Sequence, residues 1–184
     1  MMSPSGHSPM IPERYARARH TRTADSPIWR STLTTEMQDH TAGAVVVGFD
    51  GSPAAEGAVR WAARQAVLSG ARLDLVMAWE YPTSWGNAIH LPSDYDPAAD
   101  AQSMIDRVIA SLRSEYPSLG IHGHVIEGHP GDVLVEASTH GSLLVVASRG
   151  HRAFSGLVLG SVSQHCATHA VCPVVVYREP KPAS

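Results

Sequence analysis

The sequence is poor in the features that mark several protein classes. It holds two cysteines, Cys166 and Cys172, and they form no Cys-x-x-Cys pair. A disulfide framework is therefore not indicated. No apolar run approaches the roughly 20 residues that a bilayer-spanning helix needs. The N-terminal stretch has arginines but lacks the apolar segment of a secretory signal. No membrane partner is expected, and cytoplasmic localisation is the default. An excess of positive charge is also missing: the formal net charge is −3. Residues 1–42 carry five arginines against four acids, so the remainder stands at −4. A body that acidic is a poor non-specific nucleic-acid binder, and no nucleic-acid partner is expected. The Walker pattern Gly-x-x-x-x-Gly-Lys-Ser/Thr is absent too.

What is present suits one globular domain, at 43% hydrophobic and 17% charged residues. Residues 1–42 are rich in Ser, Pro, Thr, Arg and His and show no apolar period. Such a stretch buries too little surface to offset its ordering entropy, so a disordered tail is expected. Residues 43–178 form the expected domain, and 179–184 a short polar tail.

Within the domain, strands alternate with helices. Residues 44–49 read as a first strand, ending at Asp50, Gly51 and Ser52. Pro53 opens a helix to Ser69, where its missing N–H costs nothing, and Gly70 ends it. Its expected buried face is Ala58, Val59, Ala62, Ala63, Ala66 and Val67. Residues 72–79 form a second strand, followed by a long loop over 80–97. A helix over 98–114 should bury Met104, Ile105, Val108, Ile109 and Leu112. Residues 121–127 read as a shorter strand near an edge. Gly131 leads a third helix to His140, with Asp132 as its N-cap or first-turn acid and Gly141 as its stop. Strand 143–146, helix 161–169 and strand 173–177 complete the chain. This order predicts an α/β fold: a single five-stranded parallel sheet with helices on both faces.

The stretch from Ala147 to Ser163 joins the fourth strand to the fourth helix and contains Gly150, Gly156 and Gly160. A strand-to-helix connection of this kind presents backbone N–H groups to an anion. The helix N-terminus adds partial positive charge, and Ser161 or Ser163 is placed to cap it. From the residues alone, an ordinary α/β turn explains the stretch equally well.

Three segments in fixed order sharpen the choice: Val45-Val46-Val47-Gly48-Phe49-Asp50-Gly51-Ser52, Gly128-His129-Pro130-Gly131, and Ser148-Arg149-Gly150-His151 through Gly160-Ser161-Val162-Ser163. Cys172-Pro173-Val174-Val175-Val176 closes the series. Over about residues 43–178 this chain resembles the universal stress protein family. The resemblance implies an adenine nucleotide alpha hydrolase-like fold with strand order 3-2-1-4-5. It also implies a homodimer, here through Pro173, Val174, Val175, Val176 and Tyr177, a bare apolar edge strand. In the family's nucleotide-binding branch it implies ATP, with or without Mg, at the point where strand order reverses. That branch's signature is Gly-x-x-Gly, nine residues, then Gly-Ser or Gly-Thr. Gly150 and Gly160-Ser161 match it, while Ala147 stands at the first glycine.

The resemblance assigns roles residue by residue. Asp50, with Gly51 and Ser52 beside it, would contact the nucleoside; on its own such an Asp more often caps a turn. Ala78 would line the adenine pocket. Gly150, Gly160 and Ser161 would hold phosphates through N–H groups and a hydroxyl, with Val162 and Ser163 adding N–H groups. Arg149 and Arg152 flank the loop and would offset phosphate charge. The implied function is an ATP-binding stress-response module acting through nucleotide-dependent partner or assembly changes. The alternative, favoured by Ala147, is a dimeric member that binds no nucleotide.

No catalytic residue is assigned. The Ser-Gly-Gly-x-Asp-Ser signature of related pyrophosphatases does not follow the first strand, and His122-Gly123-His124 is not His-x-Gly-His. At most, slow ATP hydrolysis is expected. His165 and His169 lie four apart on a helix, and His122 and His124 share a strand face. Neither pair has a third ligand at sequence spacing, so no metal site is assigned.

Overall fold

The computed structural model describes residues 43–80, 95–148, 150 and 159–179. The tail 1–42 lies outside them. Five strands, β1 (Ala44–Gly48), β2 (Leu73–Trp79), β3 (Ile121–Glu127), β4 (Gly141–Ala147) and β5 (Val174–Tyr177), form one parallel sheet in the order β3-β2-β1-β4-β5. Helices α1 (Pro53–Ser69), α2 (Pro97–Glu115), α3 (Pro130–Ser138) and α4 (Ser161–His169) connect them. The five strands and their order are as the sequence and the resemblance led one to expect. Among the described residues no helix is long and apolar enough to cross a membrane.

Strand alternation divides the core into two layers. Val45, Val47, Leu73, Leu75 and Val145 point toward α1 and α2, where Ala58, Ala62, Ile105 and Leu112 close over them. Val46, Val76, Leu144 and Val146 point the other way, onto Val133, Leu134 and Ala137 of α3 and Cys166 of α4. Burial pushes the Cys166 thiol up to about 11, so it packs as a small apolar group rather than a nucleophile.

Helix ends follow local chemistry. Ser52 caps α1, its Oγ accepting from the Ala55 N–H at 3.2 Å, and Gly70 ends the helix with φ of 65°. Asp96 caps α2 through the Ala99 N–H at 3.1 Å. Three expectations need correction. Val67 is 49% exposed, and Ala55 takes the buried place on α1. α3 ends at Ser138 and not at His140; Asp132 is its first-turn acid, one of the two places expected for it, and His129 is the N-cap. Gly141 opens β4 instead of stopping α3, because its backbone passes close to Val46: a Cβ there would lie 2.8 Å from Val46 Cγ2.

Candidate functional site

The order of the sheet places β1 beside β4. The chain leaves β1 for α1 on one face and leaves β4 for α4 on the other. A crevice therefore opens at the carboxyl ends of these two strands. It is a cleft of about 490 Å³, within the roughly 300–1,000 Å³ usual for small-molecule sites. β1 contributes Gly48 and, beyond its end, Phe49 and Asp50; β2 contributes Val76 and Ala78, with Glu80 beyond it; β4 contributes Val146 and Ala147. Gly150 and the residues from Gly160 to Ser163 form one rim, and His129, Pro130 and Leu134 another.

The carboxylate of Asp50 is oriented locally. Its Oδ1 accepts the Ser52 N–H at 3.0 Å. Gly150 lies against its other oxygen: a Cβ at Gly150 would stand 2.5 Å from Asp50 Oδ2. Glycine at 150 thus lets the backbone there approach Asp50 closely, bringing Gly150 and the end of β1 together.

The rim at α4 is a helix N-terminus without a side-chain cap. Gly160 is the N-cap, and its carbonyl accepts the first helical bond from the Gln164 N–H at 2.9 Å. The N–H groups of Ser161, Val162 and Ser163 have no acceptor within the helix, and the first turn holds no acid. Two sequence expectations change here. The Gly160 N–H is already committed to the Ser148 carbonyl at 2.9 Å. Neither Ser161 nor Ser163 caps the helix with its side chain. Ser163 Oγ instead donates to the Ala147 carbonyl at 2.7 Å, and Ser163 is buried. That bond ties the first turn of α4 to the end of β4. Ser163→Ala should lower stability by about 1–2 kcal/mol through the stranded carbonyl, measured by urea titration. A loss under about 0.3 kcal/mol would mean the bond does not fix the rim.

Asp50, Ala78, Ala147, Gly150, Gly160, Ser161, Val162 and Ser163 thus meet in one cleft. Gly51 and Ser52 do not line it. Gly51 turns with φ of 81° and faces a separate cleft between α1 and α2, and Ser52 serves α1 as its cap. Arg149 and Arg152 lie outside the described residues. Sequence reasoning gave no role to Glu80, His129, Pro130 or Leu134. The signal for the middle pair was the Gly128-His129-Pro130-Gly131 segment, which joins a strand's carboxyl end to a helix N-terminus. Among the described residues, no group of three or more His, Cys, Asp or Glu side chains is arranged to hold a metal ion.

Comparison with known proteins agrees with this architecture. A universal stress protein of Mycobacterium tuberculosis is 35% identical over 144 residues, covering 73% of this chain and 47% of the relative. One from Mycobacterium bovis is 32% identical over 140 residues, covering 74% of this chain and 44% of the relative. The chain therefore spans just under half the length of these curated relatives. Among solved structures, a universal stress protein in complex with cAMP is 27% identical with a TM-score of 0.56, covering 74% of this chain and 97% of that one. The universal stress protein from Archaeoglobus fulgidus, at 23% identity and a TM-score of 0.57, shares the fold over 77% of this chain and 97% of its own. The family model described as "Universal stress protein family" matches residues 42–178, which spans every strand and helix of the sheet. With that match and these relatives, this chain belongs to the universal stress protein family.

Proposed function

We propose that the cleft binds an adenine nucleotide, ATP in the first instance, and that the chain is a stress-response module whose partners or assembly respond to that nucleotide. One observation carries the reading: the carboxylate of Asp50, the small Ala78 and Ala147, and the first turn of α4, whose N–H groups have no acceptor within the helix, share a single cleft. That set suits a nucleoside at the strand ends and phosphates at the helix N-terminus. A related structure, at 27% identity, is a complex with cAMP, which supports an adenine ligand. Magnesium carried with a triphosphate would offset its charge near Asp50 and Glu80. Ala147 gives little ground for a member that binds no nucleotide. It is extended in β4, in register with Tyr177, where a methyl costs no backbone strain. Titration calorimetry with ATP, AMP and adenosine tests the proposal. No heat with any of them at millimolar concentration would refute it.

Assembly is proposed to run through β5, which ends the sheet. The Pro173 and Tyr177 carbonyls accept from Leu144 and Ser148, at 2.9 and 2.7 Å, so they face β4. By the two-residue period, Val175 faces β4 as well, and the backbone groups of Val174 and Val176 face outward. Val176→Pro removes an outward N–H and leaves the β4 ladder intact. It should convert a dimer to monomer by sedimentation while the far-ultraviolet circular dichroism stays unchanged, with the thermal midpoint falling only by what the lost association contributed. A dimer that survives would place the interface elsewhere.

A further inference from the structure

Where α3 meets α4, at one wall of the cleft, two histidines flank one carboxylate and a third stacks on one of them. His165 Nε2 lies 3.1 Å from Asp132 Oδ1, and His129 Nδ1 lies 3.8 Å from Asp132 Oδ2. The His129 and His165 rings meet edge to face with centroids 6.4 Å apart, and His169 stacks on His165 at 4.4 Å. The cluster is built into the packing: a Cβ at Gly131 would stand 2.9 Å from His165 Cδ2, so the α3 first turn rests on that imidazole. Of the three rings, His129 lines the cleft.

From this geometry we infer that His129 selects phosphorylated over unphosphorylated adenine ligands, and that it does so when protonated. The inference rests on the nucleotide reading above. With neutral imidazoles, the charged groups among the described residues that line the cleft with His129 or pair with it are carboxylates: Asp132 on its own helix, and Asp50 and Glu80 in the same cleft. Such a wall repels phosphate. Imidazoles change charge between about pH 5 and 8. Once both rings are charged, the closer His165 neutralises Asp132, and the His129 charge is left facing the ligand. Histidine thus turns a repelling wall into an attracting one. Arginine keeps its charge throughout this range and so contributes no slope with pH.

The test is calorimetry of ATP and adenosine with the full chain and with His129→Gln, at about pH 8 and about pH 5.5. The preference for ATP over adenosine should grow at least about threefold on acidification, and His129→Gln should abolish that growth. The terminal phosphate of ATP also takes up a proton in this range, identically for both proteins, so their difference isolates the imidazole. By reciprocity, the midpoint of the His129 titration followed by NMR should rise with ATP and stay fixed with adenosine. Equal pH slopes in the two proteins, or an unmoved midpoint, would overturn the inference and leave nucleotide binding intact. Absence of binding by either ligand at both pH values would remove the nucleotide reading as well.

Discussion

Gly160→Asp should weaken ATP binding at least tenfold, about 1.4 kcal/mol, while the thermal midpoint holds or rises slightly. The two effects separate because Gly160 is the N-cap of α4 in extended conformation, with φ −62° and ψ 153°. Asp is among the best residues for that position, since its carboxylate accepts an N–H from the second or third helical residue. The same carboxylate would occupy the donors that the proposed phosphate needs, and would add a negative charge where the anion sits. A cap and an anion compete for the same N–H groups of Val162 and Ser163.

Calorimetry with ATP reads the first effect. A thermal melt with far-ultraviolet circular dichroism reads the second. Unchanged affinity in a folded variant would mean the phosphates do not lie on α4. A large loss of stability would mean instead that the Gly160 N–H bond to Ser148 had been disrupted, and the binding result would then report on folding.

How far the sequence reveals this molecule depends on the range of the forces involved. Strand alternation is local, so Val45 and Val47 on one layer and Val46 on the other follow from a period of two. Val67 continued the apolar face of α1 on paper. It falls in the last turn, three residues before the Gly70 cap, and is half exposed beside the fully buried Ala66. Gly141 resembled a helix stop because a C-cap and a close backbone approach both select glycine. Only the position of Val46, distant in sequence, separates the two.

The candidate site divides along the same line. The Gly150 and Gly160-Ser161 spacing was visible as a pattern, and the Asp50 segment as another. Their meeting depends on β1 and β4 being neighbours, which the family resemblance supplied and composition did not. Ser52 shows the limit of local reading: a residue that caps a helix and one that contacts a ligand look alike at a strand end. His129 shows a different limit. Its partner Asp132 is three residues away, but His165 comes from another helix, and no local period links the two.

Arg72→Met should be the most destabilising single change away from the cleft, by about 3 kcal/mol or more. Asp74 is fully buried in β2, on the face toward α3, and both of its oxygens accept from one guanidinium: Nε to Oδ1 at 2.9 Å, and the terminal nitrogen to Oδ2 at 3.0 Å. Arg72 itself is largely buried, at 18% side-chain exposure. A carboxylate left in that position without its cation carries a desolvation penalty that packing cannot offset. The pair is weak evidence for net stabilisation, because removing both charges costs far less than removing one. Arg72→Met with Asp74→Leu should therefore recover most of the loss, and the two denaturant midpoints should differ clearly. If the single variant loses under about 1 kcal/mol, water or another donor reaches Asp74 and the burial is not decisive. β2 carries Ala78 and Glu80 at its other end, beside the cleft. At temperatures well below the melt, the variant should keep whatever nucleotide affinity the parent shows, because the lost pair lies at the amino end of the same strand.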